Sequence, residues 1–180
     1  GVSCATDANG NIIATGSFDG SIRLWSNSGK EIGVCKGHQG AISDVKFSHN
    51  GNYVTSSSRD KTVRVWNLNG NAIRVFRGHT NMVNTVCFSK DDAYILSSSD
   101  DGTARLWKCP VGIEKANGTN AIEDEVNVYK GHEGGVMTAE FSRDETTVLT
   151  ASSDGTIRLW PLLAEDVLKK VNVDIKLSNV

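Results

Sequence analysis

The chain has 180 residues, 38% hydrophobic and 22% charged, with a formal net charge of -2. That length supports one well-buried domain, and the composition lies far from the polar, highly charged chains that stay disordered. The longest basic run is Lys169-Lys170 and no stretch reaches the roughly 18 apolar residues of a membrane span, so neither a nucleic acid nor a membrane is expected as a partner.

The chain opens at Gly1 inside a strand-like pattern, without an initiator Met or a leader pattern, and reads as a piece of a longer protein. Cys4, Cys35, Cys87 and Cys109 form no C-x-x-C pair and match no zinc spacing. Cys35 and Cys87 fall in apolar-alternating segments as small hydrophobes, which points to a reducing, intracellular compartment and to no metal.

Along the chain one unit recurs. Trp25, Trp66, Trp107 and Trp160 are separated by 41, 41 and 53 residues, and six residues before each stands Asp19, Asp60, Asp101 or Asp154. A Gly-His pair lies 22 residues before each of the last three aspartates: Gly37-His38, Gly78-His79 and Gly131-His132. The Trp-to-His distance is 13 twice and then 25, so the period is 41 throughout with 12 extra residues in the third connection. In the second unit the β-formers of Ala41 to Phe47 lead to a turn at 48–52. Tyr53 to Ser57, Thr62 to Trp66 and Ala72 to Phe76 follow as further strands, joined at Asp60-Lys61 and Asn69-Gly70. Asp19-Gly20, Asp101-Gly102 and Asp154-Gly155 occupy the first of those turns elsewhere. Four short antiparallel strands per 41 residues make an all-β chain of propeller blades over residues 1–161.

Ser97-Ser98-Ser99-Asp100-Asp101-Gly102-Thr103-Ala104-Arg105-Leu106-Trp107 and Ser153-Asp154-Gly155-Thr156-Ile157-Arg158-Leu159-Trp160 resemble the WD-repeat family. The Asp that usually follows the Trp is replaced by Ser26, Asn67, Lys108 and Pro161, a position where the family tolerates change. The resemblance implies that each repeat straddles two blades. The chain would then begin with an inner strand near Val2 to Thr6 and end after the third strand of the fourth blade. It also implies a ring of about seven blades, so these four form an incomplete arc, closed by blades of a longer chain or by self-association.

His38, Ser58 and Asp60 imitate a hydrolase triad, but His79, Ser99, Asp101 and His132, Ser152, Asp154 repeat it, and a catalytic site needs one pocket rather than three. The resemblance implies instead a hydrogen-bonded set with Trp66, Trp107 and Trp160. The hydroxyl comes from Ser58 or from Ser56, which spacing leaves open. No calcium loop or phosphate-binding glycine loop is present, Asn117-Gly118-Thr119 reads as an accidental sequon, and no cofactor is expected.

Two segments depart from the period. Residues 109–125 are Gly/Asn-rich, then acidic at Glu123-Asp124-Glu125, and read as an exposed loop with partner docking as the rival reading. Residues 162–180 are expected to form a short helix over Leu162 to Lys170, then an extended segment through Val171, Val173, Ile175 and Leu177, covering an exposed edge.

By the resemblance, binding falls on the face carrying the loop after each Gly-His and the turn before each Asp. The residues there are Phe18, Arg59, Asp100 and Ser153, then Ala41 and Ser43, Met82 and Asn84, Gly135 and Met137. An aromatic anchor, a guanidinium, a carboxylate and two methionines suit a protein or peptide. The function expected is a non-catalytic scaffold; the alternative is the sensor region of a larger enzyme such as an NTPase or kinase.

Overall fold

The computed structural model describes residues 3–109 and 125–163. The expected tail helix and nearly all of the 109–125 insertion lie outside the described residues.

Every described element is a strand. Blade 1 comprises β1 (Ser3–Thr6), β2 (Ile12–Gly16), β3 (Ile22–Ser26) and β4 (Glu31–Cys35). Blade 2 comprises β5 (Ile42–Phe47), β6 (Tyr53–Ser58), β7 (Thr62–Asn67) and β8 (Ala72–Arg77). Blade 3 comprises β9 (Val83–Phe88), β10 (Tyr94–Ser99), β11 (Thr103–Lys108) and β12 (Glu125–Lys130). Blade 4 has β13 (Val136–Phe141), β14 (Thr147–Ser152) and β15 (Ile157–Pro161). Each blade is an antiparallel sheet in sequence order, and among the described residues the blades form no closed ring.

The β2–β3 turn and its equivalents explain the Asp-Gly signal. Gly20, Gly102 and Gly155 hold φ of 80, 81 and 81°, a left-handed conformation that L side chains rarely adopt. Blade 2 places Lys61 there, at φ 70°. Its amide still closes the turn onto the Ser58 carbonyl at 3.2 Å, as Gly20 does onto Ser17.

The cores lie between blades. Ala14, Ile22 and Leu24 of blade 1 pack on Ile42, Val45, Val54 and Trp66 of blade 2. Val63, Val65 and Phe76 of blade 2 meet Val83, Val86, Ile95 and Trp107 of blade 3. Leu96, Ala104, Leu106 and Tyr129 of blade 3 meet Ala139 and Val148 of blade 4, with Trp160 against them. The strand pattern follows: in blades 2 and 3 one face of the sheet seals against the preceding blade and the other against the next. Each fully buried aliphatic side chain contributes about 1.5–3 kcal/mol.

Candidate functional site

In blade 2 the indole Nε1–H of Trp66 donates to Ser56 Oγ at 2.8 Å. His38 Nε2 lies 2.8 Å from the same oxygen, and His38 Nδ1 lies 2.8 Å from Asp60 Oδ2. An indole N–H only donates, so Ser56 donates its hydrogen to Nε2 and the neutral imidazole donates from Nδ1 to the carboxylate. Blade 3 repeats the chain through Trp107, Ser97, His79 and Asp101 at 2.9, 2.8 and 2.8 Å. Blade 4 repeats it through Trp160, Thr150, His132 and Asp154 at 2.8, 2.7 and 2.9 Å.

The hydroxyl is therefore Ser56, Ser97 or Thr150, and not Ser58, Ser99 or Ser152. The register explains the difference. Trp66 stands opposite Val54, which makes Ser56 its diagonal neighbour on the same face, within reach of an indole. Ser58 lies a further step toward the turn and works there, donating to the Gly40 carbonyl at 3.0 Å and accepting from the Asp60 amide at 3.1 Å. Ser99 and Ser152 likewise accept from the amides of Asp101 and Asp154.

Each aspartate fastens a further segment. Asp60 accepts from the Gln39 amide at 2.9 Å and from the Thr62 amide and hydroxyl at 3.0 and 2.6 Å. Burial pushes the Asp60 and Asp101 carboxyls up, but bonds from the histidine, the threonine hydroxyl and the backbone outweigh it and hold both well below the usual carboxylate range. Burial lowers the His38 and His79 pKa below the ordinary 6.5, against the raising effect of their aspartates. Ser56 is fully buried with both neighbours engaged, so no substrate reaches it. The glycine before the histidine has a packing reason: a Cβ at Gly37 would run into the Arg64 guanidinium and sit 3.3 Å from Trp66.

The expected face residues divide into two sets. Asn84 Nδ2 donates to Asp100 Oδ1 at 2.6 Å and to the Val136 carbonyl at 2.8 Å. A Cβ on Gly135 would lie 2.9 Å from the same Asp100 oxygen. Asn84, Asp100 and Gly135 therefore close on one another and join blade 3 to blade 4. In contrast, Phe18 is 68% exposed and Met137 52%, and Arg59 and Ser153 also stand outward. The carbonyls of Ala41, Met82 and Gly135 accept the amides of Arg59, Asp100 and Ser153 at 3.0, 3.0 and 2.9 Å, so the turns are held rigidly. Ser43, Asn84 and Met137 sit at register shifts in the pairing of the first and second strands. Such bulges re-aim a side chain.

Two fastener sets were missed in the sequence. Ser3 Oγ, Asp44 Oδ2 and Thr85 Oγ1 each face the inner-strand amide of the next blade, Val45, Val86 and Ala139, at 3.3, 3.3 and 3.4 Å. The signal was available, since positions 44 and 85 repeat at 41 residues as polar breaks in apolar strands. Asp92 (φ 57°) reaches back to the amides of His49 and Asn50 at 2.8 and 2.9 Å, across a blade boundary. The inner strands also line a hollow of about 370 Å³ containing Asp44, Lys46, Cys87 and Glu140. Burial, aided by Glu140 and Asp44, pushes the Cys87 thiol up to about 12, so it stays protonated and unreactive there.

A comparison with curated proteins returns no match. A family model described as WD domain, G-beta repeat matches residues 1–26, 29–67, 70–108 and 123–161. The second and third matches begin around the outer strand of one blade and end on the third strand of the next, so the repeat straddles the blades. With four matches covering most of its length, and with antiparallel sheets stacked as blades, the chain belongs to the WD-repeat family, whose repeats generally serve as protein-interaction scaffolds.

Proposed function

We propose that this chain is a non-catalytic scaffold that holds a protein or peptide on the face bearing Phe18, Arg59, Met137 and Ser153. The observation that carries the reading is the exposure of Phe18 (68%) and Met137 (52%) beside backbone closed by hydrogen bonds, Gly20 onto Ser17 and Ser153 onto Gly135. Exposed aromatic and arginine side chains on a preorganised surface are the residues that dominate protein interfaces. The repeated His, Asp and Trp positions are consumed internally, which leaves their varied neighbours to recognise a partner. The free thiols of Cys4, Cys35 and Cys87 fit a reducing, intracellular setting. Further blades, from a longer chain or a second copy, extend the arc beyond blade 4.

The test is a double substitution, Phe18→Ala with Arg59→Ala, in quantitative affinity capture from cell extract. Partners captured by the parent protein should drop by about tenfold or more. Thermal unfolding should be unchanged, because both side chains are exposed. An unchanged set of partners at unchanged abundance would remove this face from consideration.

A further inference from the structure

Residues 36–77, which span blade 2 and the connection into it, hold seven Lys and Arg against only Asp44 and Asp60, in a chain whose net charge is -2. Part of that excess gathers on one sheet face. Arg64 stands opposite Val75 and Arg77 opposite Thr62, so the two guanidinium side chains are diagonal neighbours on the face turned toward blade 1. Arg64 is stacked over Trp66, 5.7 Å from the ring centroid. Its Nε is buried and has no hydrogen-bond partner, as is also the case for Arg105 Nε in blade 3.

The other blades act as internal controls. In blade 1 the equivalent Arg23 binds Glu31 Oε2 at 2.7 Å. In blade 3 the equivalent Arg105 pairs with Glu125 Oε2. Glu31 and Glu125 occupy the position opposite the tryptophan at the start of the outer strand. Blade 2 has Ala72 there, an exposed residue with no charge. Among the described residues, neither Arg64 nor Arg77 has a carboxylate partner. The electrostatics differ accordingly. The Glu31 hydrogen bond and charge raise the Arg23 pKa, while burial and the neighbouring Arg77 lower that of Arg64 against a raising effect of Asp60.

Two like charges held together, one of them half-buried on an indole, cost free energy unless an anion lies between them. The same fold fills this position with a glutamate carboxylate in two other blades. We infer that the third and outer strands of blade 2 carry a second binding site, in which Arg64 and Arg77 take a glutamate or aspartate side chain from an acidic segment of a partner protein. Planar, bidentate recognition of a carboxylate is what a guanidinium supplies best. Ala72 leaves open the space that the carboxylate enters. This site lies on the third and outer strands of the blade and does not rest on the reading of the Phe18 face.

The experiment uses the whole chain and a fluorescein-labelled hexaglutamate peptide, read by fluorescence anisotropy. Ala72→Glu restores the internal carboxylate, so it should leave the melting temperature equal or higher while weakening the peptide by at least about tenfold. Arg77→Gln, a substitution at an exposed residue, should weaken it to a similar degree with the fold intact. Binding should also fall as sodium chloride is raised. Undiminished binding by Ala72→Glu would overturn the inference. So would equal competition by hexaglutamine, or tighter binding of single-stranded oligo-dT than of hexaglutamate.

Discussion

Blades 3 and 4 carry nearly the same pattern in their middle strands, yet their surfaces differ. Leu96 and Leu106, paired across β10 and β11, are completely buried. Leu149 and Leu159, paired in the same way across β14 and β15, are 38% and 69% exposed, and Ile157 beside them is 74% exposed. The difference does not lie within the sheets. Blade 3 is covered on that face by Ala139 and Val148 of blade 4, whereas among the described residues no sheet covers the same face of blade 4. A blade is a single layer with two apolar faces, so the neighbour rather than the residue decides what becomes core. The inner-strand fasteners follow the same rule: Thr85 meets the Ala139 amide, while Thr138, its counterpart in β13, has no further inner strand beside it among the described residues.

The largest expected effect breaks that comparison directly. Leu106→Ala should destabilise the chain by about 2–5 kcal/mol, because it opens a cavity between two sheets. Leu159→Ala, at the equivalent register, should stay within about 0.5 kcal/mol in urea unfolding. Similar losses for both would show that the outer face of blade 4 is covered in solution.

A second contrast sharpens with pH. Burial depresses the folded-state pKa of His38 and His79 below 6.5, so the unfolded chain takes up protons first as the solution is acidified. Their contribution to stability is present above that ordinary value and is lost as pH falls below it. Asp60 and Asp101, depressed below 3.8, add a further loss at lower pH with the same sign. The melting temperature should therefore decline between about pH 7 and pH 5 and fall more steeply below about pH 4. A flat profile down to about pH 5 would contradict neutral, internally bonded imidazoles.

The smallest effect concerns one turn. Lys61 adopts the left-handed conformation that glycine supplies in the other three blades. Lys61→Gly relieves roughly 1–2 kcal/mol of backbone strain and returns part of it as unfolded-state entropy. A net gain of about 0.5–1 kcal/mol should appear as a higher denaturant midpoint. A loss instead would mean that the lysine side chain makes a stabilising contact of its own.

Periodicity alone made the strands, the turns and the blade count legible. A 41-residue spacing of Trp, Asp and Gly-His can be read off the chain, and Asp-Gly turns are specified locally by backbone sterics. Even the extra residues in the third connection follow from one altered spacing. The choice of hydroxyl was not legible, since Ser56 and Ser58 have the same parity on β6 and differ only in which one lies diagonal to Trp66. Nor was the fate of the expected face residues. Asn84 and Asp100 look like binding groups in one dimension but are spent on each other and on the Val136 carbonyl.

Local chemistry thus settles what each segment becomes, because turn conformation and strand alternation depend on near neighbours. Pairing across strands and stacking of blades settle the rest: which polar side chains are satisfied inside, which apolar faces are sealed, and which arginine is left without its acid. Those outcomes belong to the folded blade and its neighbours, since a hydrogen bond or a buried face requires a partner that only strand pairing and blade stacking bring within reach.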